Sequence, residues 1–232
     1  MRNTNLRWKS NGWAFASIFA LVLLFCLFGC DSTGAGGSNG GGDSDSGGTG
    51  GSTSPGDALL LLQGGITGWD LGTRDEVVVI LVDAGANPVQ GYGPVTVQFD
   101  GHFPGMSIDP PTSGALLSWE DFQYVYEYSL SSMPVSITDD SVGFQTFCYL
   151  DVQYMGYVIS RGNDDELAAV SWVYVDGPTN VSGTFNTGDY DVTIDLQLGT
   201  GWNRTVFQQD DTAKVITLKT EAEPAGTAWV LE

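Results

Sequence analysis

The feature that most constrains the fold is a series of short apolar or alternating runs over residues 57–232, cut roughly every ten residues by Gly, Pro, Asn and Asp. Residues 76–82 are β-branched and apolar at nearly every position, which predicts a central strand buried on both faces. Residues 190–198 alternate between apolar and polar side chains, which predicts a half-exposed strand. This spacing is typical of a β-sandwich or barrel, and we predict one all-β, sandwich-like domain.

The remaining runs extend the same pattern. Further strands are predicted at residues 59–62, 94–99, 202–207, 214–219 and 227–231. Residues 83–88 predict a turn, and Asp100-Gly101 predicts a tight reversal.

One stretch, residues 118–130, fits two structures. Ser118, followed by Glu120 and Asp121, is typical of the start of a helix. Aromatic side chains at every second position instead favour a strand, which we predict here. These aromatic residues are Phe122, Tyr124, Tyr126 and Tyr128.

The N-terminus has the pattern of a secretory signal. Its first 13 residues carry Arg2, Arg7 and Lys9 and no acidic residue, and residues 14–28 carry no charge. Because a transmembrane helix needs about 20 apolar residues, a permanent span is the weaker interpretation.

The apolar core ends in Leu27-Phe28-Gly29-Cys30, which resembles the bacterial lipoprotein signal, although Phe28 is bulkier than usual at its position. The resemblance implies cleavage before Cys30, a diacylglyceryl thioether on its sulfur, and an acyl group such as palmitate on the new amino terminus. Two or more acyl chains anchor a protein stably to a membrane. The alternative is an ordinary signal peptide that is cut nearby and leaves Cys30 as a free thiol.

The other cysteines fit this interpretation. Cys26 leaves with the signal, so Cys148 has no partner for an internal disulfide and is expected to be a buried thiol. Residues 31–56 are almost entirely Gly, Ser, Thr and Asp, which predicts a flexible tether. The predicted organisation is a signal peptide at 1–29, the lipidated Cys30 and tether at 30–56, and the all-β domain at 57–232. The expected location is the bacterial cell envelope, at the outer membrane, the cell surface or the periplasmic face.

The charge of the chain restricts its partners. Three of the eight basic residues lie in the signal and all 28 acidic residues follow Cys30, so the chain from Asp31 onward has a formal charge of −23. Such a chain repels nucleic acid, and it has no cluster of basic residues to overcome that repulsion. We therefore exclude nucleic acid as a partner and expect attachment to the membrane through the lipid alone.

Two sets of motifs extend the resemblance into the domain. Gly65-Ile66-Thr67-Gly68-Trp69 and Phe99-Asp100-Gly101-His102-Phe103, which leads to Pro110-Pro111, are similar to β-sandwich modules of the carboxypeptidase-regulatory or transthyretin-like kind. The closing half resembles uncharacterised bacterial lipoproteins that share a Gly-Trp-Asn motif, here Gly201-Trp202-Asn203. The resemblance implies an immunoglobulin-like or transthyretin-like sandwich and no assigned activity.

The sequence contains no strong catalytic pattern. His102 is the only histidine, so a metal centre with two or more imidazoles is impossible, and no Gly-x-Ser-x-Gly motif accompanies it in the domain. Carboxylates from different loops could bind calcium or form the acid pair of a glycosidase, but acidic clusters in turns are usually solvated. These clusters are Asp139-Asp140, Asp164-Asp165-Glu166, Asp189-x-Asp191 and Asp210-Asp211. Among them, Asp164, Asp165 and Glu166 form the densest set of possible calcium ligands.

Aromatic residues offer a second candidate site. Tyr124, Tyr126 and Trp202 could stack on sugar rings if their faces were exposed, but core packing is the more common role of such residues. We expect a non-enzymatic binding or structural module without a cofactor. The alternatives are a glycan-binding module that uses exposed aromatics and a hydrolase that uses paired acids.

Overall fold

The computed structural model describes residues 59–69, 74–125, 134–147, 149–152, 158–163 and 167–231. The predicted signal, Cys30, the tether and Cys148 lie outside these residues. Within the described residues, no helix is both long enough and apolar enough to cross a membrane.

The regular secondary structure of the described residues is almost entirely β-strand, which confirms the all-β prediction. The strands are β1 (Leu60–Thr67), β2 (Asp75–Val82), β3 (Pro88–Val97), β4 (His102–Ile108), β5 (Ser136–Ile137), β6 (Phe144–Phe147), β7 (Tyr149–Val152), β8 (Val158–Asn163), β9 (Ala168–Val175), β10 (Thr179–Asn186), β11 (Asp191–Leu198), β12 (Gly201–Asp210), β13 (Val215–Lys219) and β14 (Ala228–Leu231). A short 3₁₀ helix (Ser113–Ala115) and one α-helix, α1 (Trp119–Val125), lie between β4 and β5.

The strands follow one hydrogen-bonded path that divides at β8. On one side of the division, the order of pairing is β4-β1-β14-β8-β7-β2-β3. On the other side, β8 pairs with the start of β9, and the path continues through β12, β13, β11, β10 and β5. The end of β9 pairs instead with β6. The strand β8 is therefore shared by the two parts of the sheet.

The largest group of buried apolar side chains is enclosed by the first part of this path together with one face of β9 and β12. Its members include Leu60, Val77, Phe103, Trp172 and Trp229, all at most 3% exposed. A second set of buried side chains lies on the opposite face of β9 and on β10, β11 and β13. These residues are Val173, Val175, Val181, Val192, Ile194, Leu196, Leu198 and Ile216. Both faces of β9 are thus covered, as expected of a sandwich-like fold.

Apart from residues 118–130, the predicted strands are found, with differences in extent and burial. The run over residues 76–82 is β2, which lies between β3 and β7, but only Val77, Val79 and Leu81 are fully buried. The intervening side chains are half-buried, so the prediction of burial on both faces was too strong. The alternating run is β11, whose four apolar side chains are all buried.

The prediction of a strand over residues 118–130 is wrong over its described residues, because Trp119–Val125 form a helix. The Ser118 hydroxyl accepts a hydrogen bond from the Asp121 backbone N–H at 3.1 Å and donates to the Asp121 carboxylate at 2.8 Å. Phe122, one turn after Trp119, stacks on it at 5.9 Å and on Phe144 of β6 at 4.8 Å. The cap and this helical spacing outweigh the alternation of aromatic residues.

Candidate functional site

The predicted ligand-binding aromatics do not form a described site. Trp202 is fully buried, and its indole N–H donates to the Asp109 carbonyl oxygen at 3.3 Å. Its ring makes edge-to-face contacts with Phe147 and Tyr174, each at 5.4 Å. Trp202 therefore belongs to the core, and the suggestion that it stacks on a sugar is corrected. The Tyr124 side chain and the whole of Tyr126 lie outside the described residues.

The Gly-Trp-Asn motif has a structural role. Asn203 is fully buried, and its side-chain amide donates to the carbonyl oxygens of Gly199 at 2.7 Å and Gly201 at 2.9 Å. Its side-chain oxygen accepts the Gly199 N–H at 2.9 Å. Gly201 has a φ of 111°, which strongly favours glycine. The motif therefore closes the β11–β12 turn and anchors it to the core through Trp202.

The two early motifs contact each other. The Ile66 N–H donates to the Gly101 carbonyl oxygen at 3.1 Å, and Gly101 has a φ of 81°. A Cβ atom at Gly101 would lie 2.8 Å from the Cβ of Trp69, so only glycine allows this approach. Trp69 is buried, and its indole N–H has no hydrogen-bond partner among the residues that the structure describes. These motifs join the end of β1 to the β3–β4 hairpin.

His102 is exposed at the start of β4, opposite Gly65 of β1. Its backbone N–H donates to the Asp100 carboxylate at 3.1 Å, and its carbonyl oxygen accepts the Gln98 N–H at 2.8 Å. The backbone of His102 thus helps to form the Asp100-Gly101 reversal that was predicted from the sequence.

Several acidic side chains in the predicted clusters form turns. Asp139 accepts hydrogen bonds from the backbone and hydroxyl of Ser141, which hold the pKa of its carboxyl below the ordinary value. Asp211 accepts the Tyr190 hydroxyl and the Gln209 amide, and these bonds lower its pKa in the same way. Asp210 accepts two backbone N–H groups in the β12–β13 turn. The carboxylates of Asp139, Asp210 and Asp211 therefore already accept hydrogen bonds from other groups of the protein.

The structure does not bring these acids together as a metal site. Among the residues it describes, no group of three or more His, Cys, Asp or Glu side chains could hold a metal ion. Asp164, Asp165 and Glu166, which were the densest calcium candidates, lie outside those residues.

Sequence reasoning missed a charge cluster at the division of the sheet. Glu223 lies in the segment between β13 and β14. Both oxygens of its carboxylate accept hydrogen bonds from the guanidinium of Arg161 of β8, a bidentate interaction with distances from 2.6 to 3.0 Å. Arg204 of β12 lies 3.7 Å from the same carboxylate and donates to the Glu221 carbonyl oxygen at 3.1 Å. The Arg161 guanidinium also lies over the Trp229 ring at 5.2 Å. Nothing in the spacing of these residues along the chain indicates that they meet.

The second feature that the sequence does not reveal is the environment of Asp151. It lies on β7, opposite Val78 of β2 and Val158 of β8, and its neighbours Leu150 and Val152 point into the core. Partial burial of the carboxyl raises its pKa to about 6. The alternating pattern of residues 149–152 places Asp151 on the opposite face from the core, but the pattern alone does not show that this face is half-buried.

No family model matches the chain, no curated protein sequence matches it, and no solved structure matches it.

Proposed function

We propose that this chain is a lipid-anchored protein of the bacterial cell envelope, in which an all-β domain on a flexible tether acts as a structural or binding module without catalytic activity. The signal-like N-terminus and the Leu27-Phe28-Gly29-Cys30 motif support the anchor. Residues 31–56 precede β1 in the sequence, and their composition of Gly, Ser, Thr and Asp is that of a flexible tether.

One observation supports a module without catalytic activity. The polar side chains that stand out in the sequence and the structure form hydrogen bonds and ion pairs within the protein itself. The side-chain oxygen and nitrogen of Asn203 both form hydrogen bonds in the β11–β12 turn, and Asp210 accepts backbone N–H groups in the next turn. The half-buried carboxylate of Glu223 is paired with Arg161 and Arg204. A catalytic acid or base must reach a substrate proton, whereas these groups stabilise the protein itself.

The anchor is tested by changing the cysteine that would carry the lipid. In Cys30→Ala the acceptor sulfur is absent, so we expect the protein to leave the membrane fraction or to remain unprocessed. The matched control is Cys148→Ala, which removes the other cysteine of the processed chain and should not change membrane fractionation. Mass spectrometry of the mature N-terminus provides the direct measurement. An unmodified residue 30, or unchanged processing and fractionation of Cys30→Ala, would refute the anchor.

The module assignment is tested separately with the mature protein. A screen of glycans and metal ions distinguishes binding from a purely structural role. Hydrolysis of glycosidic bonds by the purified protein would contradict the proposal, because it would require an acid pair that the proposal does not contain.

A further inference from the structure

We draw no further inference here: the strongest candidate, the surface patch formed by the exposed Leu59 and Leu61 at the start of β1, is a small apolar patch for which nothing among the described residues shows what covers it.

Discussion

At the scale of single residues, the negative charge of Glu223 offers the most direct test by mutation. Arg161 is 6% exposed, and it keeps a full positive charge whatever its partner is. In Glu223→Gln this charge stays buried without a carboxylate, and removing one partner of a buried pair costs about 3–5 kcal/mol. Because Glu223 is still 13% exposed, we expect a loss near the lower end, about 3 kcal/mol.

Urea unfolding followed by tryptophan fluorescence measures this loss. The matched control is Glu221→Gln, which removes the same charge two residues away and leaves intact the backbone carbonyl that Arg204 contacts. A surface substitution of this kind should change the free energy of unfolding by about 0.5 kcal/mol or less. Equal losses in the two variants would mean that the general charge of the segment matters and that the pairing with Arg161 does not.

Asn203 allows a second test at this scale. Asn203→Ala removes a fully buried side chain and leaves two carbonyl oxygens and one N–H of the β11–β12 turn, which are buried or part-buried, without this partner. Unsatisfied buried polar groups cost about 1–3 kcal/mol each, although water entering the vacated space offsets part of this cost. We expect a total loss of about 2–3 kcal/mol in chemical denaturation. Asn180→Ala, at an exposed position of β10, is the control and should be nearly neutral; a neutral Asn203→Ala would show that the motif does not stabilise the turn.

At the scale of elements, the junction between β1 and the β3–β4 hairpin depends on a glycine. In Gly101→Ala the new Cβ would lie 2.8 Å from the Trp69 Cβ and 2.9 Å from the Ile66 carbonyl oxygen, at a φ of 81°. Both the contact and the backbone conformation are unfavourable, so we expect a loss of at least about 2 kcal/mol.

The control for this junction is Gly114→Ala in the 3₁₀ helix, where a Cβ would meet no atom of the described residues within 4 Å. Thermal unfolding of the two variants gives the comparison. If Gly101→Ala melts at the temperature of the unchanged protein, the contact between the two motifs is looser than the structure indicates.

The elements also show which parts of the fold the sequence can predict. β2 and β11 were found because alternation and β-branched runs report on a half-buried or central strand directly. The helix α1 was not predicted because a strand and a short aromatic-rich helix give similar patterns over seven residues, and the alternation of aromatic residues conflicts with the helical cap at Ser118. The Arg161–Glu223 pair was unpredictable, since it joins residues 62 positions apart that only the division of the sheet at β8 brings together.

At the scale of the whole molecule, the dependence of stability on pH follows from Asp151. The pKa of its carboxyl in the folded protein is about 6, above the ordinary 3.8, because burial disfavours the charged form. Folding therefore favours the protonated acid, and this stabilisation is complete below pH 3.8 and is lost as the pH rises through 6. Carboxyls with lowered pKa, such as those of Asp83, Asp139 and Asp211, act in the opposite direction at more acidic pH.

The contribution of Asp151 is isolated by comparing the unchanged protein with Asp151→Asn across the pH range. A rise of pKa from 3.8 to about 6 corresponds to about 3 kcal/mol for a fully buried group. Because the carboxyl keeps some contact with water, we expect Asp151→Asn to be more stable by about 1–2 kcal/mol at pH 7.5. The advantage should decrease as the pH falls from 6 towards 3.8 and be small at pH 4.0, where the Asp151 carboxyl is protonated in the folded protein. Urea unfolding at pH 4.0, 6.0 and 7.5 measures the difference, and an advantage that is the same at all three values would attribute it to packing and contradict the titration of Asp151.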